Sequence, residues 1–76
     1  MTTADLAVLS ANVGNTLRIL CRDGESLVVK VILVSEEEGD VIYDLVSSSV
    51  PSRYQTIDPH PAYRLSFGEI ESVSLD

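Results

Sequence analysis

Between Ser26 and Ser35 the chain reads Leu27-Val28-Val29-Lys30-Val31-Ile32-Leu33-Val34, a stretch in which one lysine is the only polar residue. Its β-branched side chains are stiff at χ1 and fit an extended, pleated chain better than a helix. The run predicts a strand with both faces shielded from water, and the rest of the chain has to supply that shielding. At 76 residues there is room for one domain, 1–76, with a thin core. Domains of this size bury only about 60–65% of the surface that the unfolded chain exposes, so a partner subunit is an expected remedy. The usual staples are missing: a lone Cys21 excludes an internal disulfide, and no Cys/His cluster is spaced for zinc.

The flanks supply the shielding elements. Thr2 or Thr3 caps a predicted helix over about 3–13, with Asp5 in its first turn against the positive end of the dipole. Leu6, Leu9 and Val13 share one face of it, and Gly14 ends it in a left-handed cap. From Thr16 the period changes to two, placing Leu17, Ile19 and Cys21 on one side and Arg18, Leu20 and Arg22 on the other. Asp23-Gly24 predicts a hairpin into the apolar run, because both residues tolerate positive φ. A polar turn, Glu36-Glu37-Glu38-Gly39-Asp40, leads to a third strand carrying Val41, Tyr43 and Leu45 on one face. Residues 47–61 hold all three prolines and no period, which predicts a long loop. Tyr63-Arg64-Leu65-Ser66-Phe67 alternates as a fourth strand, Gly68-Glu69 turns, and residues 70–75 form a short fifth. The expected fold is mainly β: an N-terminal α-helix followed by five strongly bent antiparallel strands in a closed or nearly closed barrel, which would remove exposed edges.

Two stretches resemble a known family. Gly14, then Leu17, Ile19 and Cys21, then Arg22-Asp23-Gly24 has the spacing of the first Sm motif. Leu65-Ser66-Phe67-Gly68-Glu69-Ile70-Glu71-Ser72-Val73 is similar to the second Sm motif in its apolar frame. Outside residues 47–61 the chain thus resembles a divergent member of the Sm/LSm-like (Hfq-like) group of small SH3-type barrels. That resemblance implies pairing of the fourth strand of one subunit with the fifth of the next, giving a ring or smaller homo-oligomer. Tyr63, Leu65, Phe67, Val73 and Leu75 are then the expected subunit interface. It also implies RNA binding, but the uridine-pocket positions carry Ser35, Gly39 or Asp40, and Ser66-Phe67 in place of the family's Asp, Asn and Arg-Gly. The family's glycine in the middle of the second strand is replaced by Val29, so bending has to come from elsewhere.

Charge argues in the same direction as the altered pocket. Twelve acidic against five basic side chains leave a net −7, whereas nucleic-acid-binding domains commonly show a basic patch and a pI above about 9. The glutamate triplet beside the turn repels phosphate. On the long loop, Arg53 and Tyr54 offer a cation and a ring for stacking on a base or a peptide side chain. His60, between two prolines, is read as a loop residue and not as an acid or base, and Cys21 as a buried, inert thiol. Glu36, Glu37, Glu38 and Asp40 are read as a solvated turn and not as a metal site. With no phosphate loop, metal-ligand cluster or nucleophile elbow, the chain is expected to be non-catalytic and to need no cofactor. No apolar run approaches the roughly 18 residues of a membrane span, so a cytoplasmic location is expected. The competing expectation is an SH3-type protein-interaction or regulatory module that takes a basic or proline-rich partner.

Overall fold

The change of period at Thr16 is where helix gives way to sheet. In a computed structural model, α1 spans Thr3–Ala11 and is followed by β1 (Thr16–Cys21), β2 (Ser26–Ser35), β3 (Asp40–Ser48), β4 (Ala62–Ser66), a 3-10 turn (Phe67–Glu69) and β5 (Ile70–Leu75). The structure describes residues 1–50 and 62–75; the expectations placed on Arg53, Tyr54 and His60 lie outside the described residues. Among the described residues, no helix is long and apolar enough to cross a membrane.

Thr2 is the helix cap, and with Asp5 it builds a capping box: the Thr2 Oγ1 accepts from the Asp5 N–H at 3.2 Å, and Asp5 Oδ2 accepts from the Thr2 N–H at 2.9 Å. The helix stops at Ala11, short of the expected 13, because Asn12 leaves helical geometry and its side chain donates to the Val8 carbonyl. Val13 therefore lies beyond the helix and is exposed, while Leu9 alone of the expected stripe is fully buried. Gly14, at φ +89°, turns the chain so that its N–H meets the Val31 carbonyl at 2.7 Å, setting β1 beside β2.

All five strands are antiparallel and form one sheet in the order β4-β3-β2-β1-β5. The sheet is not closed: β4 and β5 are its margins, and no pairing joins them among the described residues. β1 keeps the expected parity, with Leu17, Ile19 and Cys21 buried. The Asp23-Gly24 hairpin forms, though by a four-residue connection in which only Gly24 takes positive φ; the Gly24 N–H closes the turn on the Cys21 carbonyl at 3.0 Å. The fourth strand ends at Ser66, one residue early, since Phe67 begins the 3-10 turn. The third runs to Ser48, two residues into the stretch expected as loop, because serines there find partners on β2: Ser49 N–H donates to the Ser26 carbonyl, and Ser49 Oγ accepts from the Ser26 N–H.

The shielding of both faces of β2 is not what the structure has. Leu27, Val29 and Val31 are fully buried, whereas Lys30, Ile32 and Leu33 face solvent. A bulge causes part of this. Between Val31 and Leu33 the register against β3 steps by one residue, so Ile32 is the extra residue and Val34 returns to the core side. A second step lies at Val46 of β3, opposite Val28 and Val29, and a third at Glu71 of β5, opposite Leu20 and Cys21. These bulges supply the bending that Val29, in place of a glycine, does not. On the concave side Leu9, Leu17, Ile19, Leu27, Val29, Val31, Val41 and Ile70 are fully buried and form the core, with Tyr43, Leu65 and Val73 beside them.

Candidate functional site

Two neighbourhoods combine polar chemistry with a fixed backbone, and both adjoin the end of β4. The first is the β2–β3 turn. Gly39, at φ +72°, lets its N–H reach the Ser35 carbonyl at 2.9 Å, and the Ser35 Oγ accepts from the Glu38 N–H at 3.2 Å. Asp40 then faces Ser35 across the hairpin and Ser66 on β4, and the Phe67 N–H donates to the Gly39 carbonyl at 2.8 Å. Five expected ligand residues, Ser35, Gly39, Asp40, Ser66 and Phe67, are thus brought together from two distant parts of the chain. Arg53 and Tyr54, expected to share the role, lie outside the described residues.

The electrostatics of that turn are acidic. Glu36, Glu37 and Glu38 are all exposed, and Asp40 is buried beneath them with its Oδ2 3.3 Å from the Arg64 Nε. Arg64 is itself well exposed, so this pair contributes little stability, but it holds one cation next to the carboxylates.

The second neighbourhood is a pocket of about 460 Å³ between the β1–β2 turn and β4. Tyr43 and Tyr63, cross-strand partners, line it with rings stacked at 5.8 Å between centroids. Cys21, Asp23 and Glu25 also line it, together with Arg22, Arg64 and Glu69. Sequence reasoning missed Glu25, a carboxylate only 5% exposed. It accepts from the Ser48 hydroxyl through Oε2, and its own N–H donates to Asp23 Oδ1 at 3.0 Å. Its one signal in sequence is its place directly after Asp23-Gly24, where the turn folds it back toward β1 and the Cys21 N–H meets its carbonyl at 2.8 Å.

Cys21 Sγ and one carboxylate oxygen each of Asp23 and Glu25 lie within 4.8 Å of one another, which is where the described residues would most readily hold a thiophilic cation. Asp23 Oδ1 is already engaged by the Glu25 N–H within the hairpin and Glu25 Oε2 by the Ser48 hydroxyl of β3, which accounts for their positions without an ion. Every buried side-chain nitrogen or oxygen among the described residues has a hydrogen-bond partner.

The expected interface residues divide. Leu65 and Val73 point into the core, Tyr63 and Phe67 are half-buried against it, and Leu75 is 69% exposed. An interface there would be made by the backbones of the two margins, with Leu75 as the exposed side chain. In comparisons with known proteins, no family model, no curated protein and no solved structure matches this chain.

Proposed function

We propose that the protein is a non-catalytic, Sm-like assembly module whose copies join by pairing β4 of one with β5 of the next. The observation that carries the reading is the open sheet: its two margins come from β4 and β5, and an unpaired margin is a template for another strand. Such a heterologous contact closes into a ring or a smaller oligomer when the rotation permits. The thin core and the exposed Ile32, Leu33, Val46 and Leu75 support association, since a chain this small leaves apolar surface to bury. Light scattering over a concentration series tests it. Masses that are multiples of 8.3 kDa are expected, and 8.3 kDa at every concentration rejects the reading.

RNA binding is the weaker arm of this proposal. The turn that gathers Ser35, Gly39, Asp40, Ser66 and Phe67 offers a polar surface, and the adjacent glutamates oppose a phosphate backbone. Retention of oligo-U or oligo-A that falls with salt supports that arm; no retention at low salt removes it.

The pocket favours a second reading, an SH3-type module for a basic or proline-rich protein segment. The half-buried Tyr63 ring, backed by the buried Tyr43, shares this lining with Asp23, Glu25 and Glu69, which outnumber Arg22 and Arg64 there. A Tyr63→Ala variant that loses a protein partner while its oligomeric state is unchanged would select this reading.

A further inference from the structure

The β5 margin already has an occupant. Val73 sits opposite Ile19 of β1, yet its N–H donates outward to Asp5 Oδ1 at 3.1 Å. Three residues earlier the Ile70 carbonyl accepts from the Met1 nitrogen at 3.0 Å. Asp5 in the first turn of α1, and Met1 just ahead of its Thr2 cap, therefore take one donor and one acceptor from the strand at the sheet's edge, where a second copy would need backbone partners. Asp5 uses both oxygens: Oδ2 closes the capping box on Thr2, and Oδ1 holds Val73.

We propose that the first turn of α1 is a guard on β5, and that assembly through this margin requires the turn to release Val73. The inference rests on the assembly reading above and adds its control. A nine-residue helix is marginal alone and depends on its packing, here chiefly through Leu9. Residues 1–5 lie at its outer end, so they can fray while Leu9 stays in place. One carboxylate both stabilises the helix start and seals the edge, so the guard closes when the helix is fully formed. β4 has no equivalent guard among the described residues and carries only the exposed Arg64 as a charge at the margin.

Sedimentation equilibrium of wild type, Asp5→Ala, Asp5→Asn and Thr2→Ala tests the guard. Asp5→Ala removes the acceptor and should raise the association constant about tenfold, and Asp5→Asn, which keeps a neutral oxygen, should raise it less. Thr2→Ala removes the hydroxyl that holds Asp5 in the capping box and frays the first turn, and should raise association by less than Asp5→Ala does. Glu37→Gln makes the same charge change as Asp5→Asn at an exposed turn and should match wild type. Equal association by wild type and both Asp5 variants overturns the guard and leaves the assembly reading standing. Monomers throughout overturn the assembly reading and the guard with it. Should the Asp5 variants fail to fold, exchange of the Val73 amide in dilute wild-type protein decides: protection supports the guard, and exchange at the unprotected rate rejects it.

Discussion

The two margins of one sheet are treated differently. β5 is flanked by α1, which buries Leu9 in the core and holds Val73 through Asp5 of its first turn, while Met1 ahead of the helix holds Ile70. β4 is tied inward, by its ladder to β3, the Tyr43–Tyr63 stack and the Asp40–Arg64 pair, and has no partner strand on its outer side among the described residues. An edge with no partner among the described residues is a template for pairing, whereas an edge that spends its amides on its own helix has to be opened first. In the proposed assembly β4 would be the ready half of the contact and β5 the controlled half.

The strongest way to break the contrast is to remove what docks the guarded side. Leu9→Ala should lower stability by about 2–5 kcal/mol, read as a reduced urea midpoint, because Leu9 is the fully buried anchor of α1. On the other margin, Tyr63→Ala should cost about 1–2 kcal/mol in the same assay, since the ring is only half-buried but stacks on Tyr43.

A smaller effect sharpens the comparison through pH. The Thr2 N–H, then the Val73 N–H, hold the Asp5 carboxyl below its usual 3.8, with the Thr2 hydroxyl adding to this and partial burial opposing it. Because the folded pKa is depressed, the stabilisation is complete above the ordinary value and is lost as pH falls through the folded one. The gap in urea midpoint between wild type and Asp5→Ala should be constant from about pH 7 to 5 and shrink toward about pH 2. The least effect is expected for Arg64→Ala, within about 0.5 kcal/mol, because the arginine of the pair is largely solvated.

Much of this was legible from the residues. The period-two parity of Leu17, Ile19 and Cys21, the hairpin at Gly24 and the bounds of β2 and β5 follow from local preference, and the structure has them. The bulges at Ile32, Val46 and Glu71 were not legible: one extra residue leaves composition unchanged and flips the faces beyond it. That is why Leu33 is exposed where a doubly covered strand was expected. The gathering of Ser35, Gly39 and Asp40 with Ser66 and Phe67 came from motif resemblance, not from periodicity. The burial of Glu25 and the reach of Asp5 to Val73 depend on tertiary partners, Ser48 and a strand 68 residues away, that no local pattern encodes. Asp5 as a favourable first-turn acid was readable; its second task was not.

Hydrogen exchange followed by mass spectrometry, at dilute and concentrated protein, tests edge pairing most directly on the peptide covering β4. Slower exchange of residues 62–66 as concentration rises, with faster exchange at the first turn of α1, is the predicted result. Identical exchange of β4 at both concentrations would contradict it.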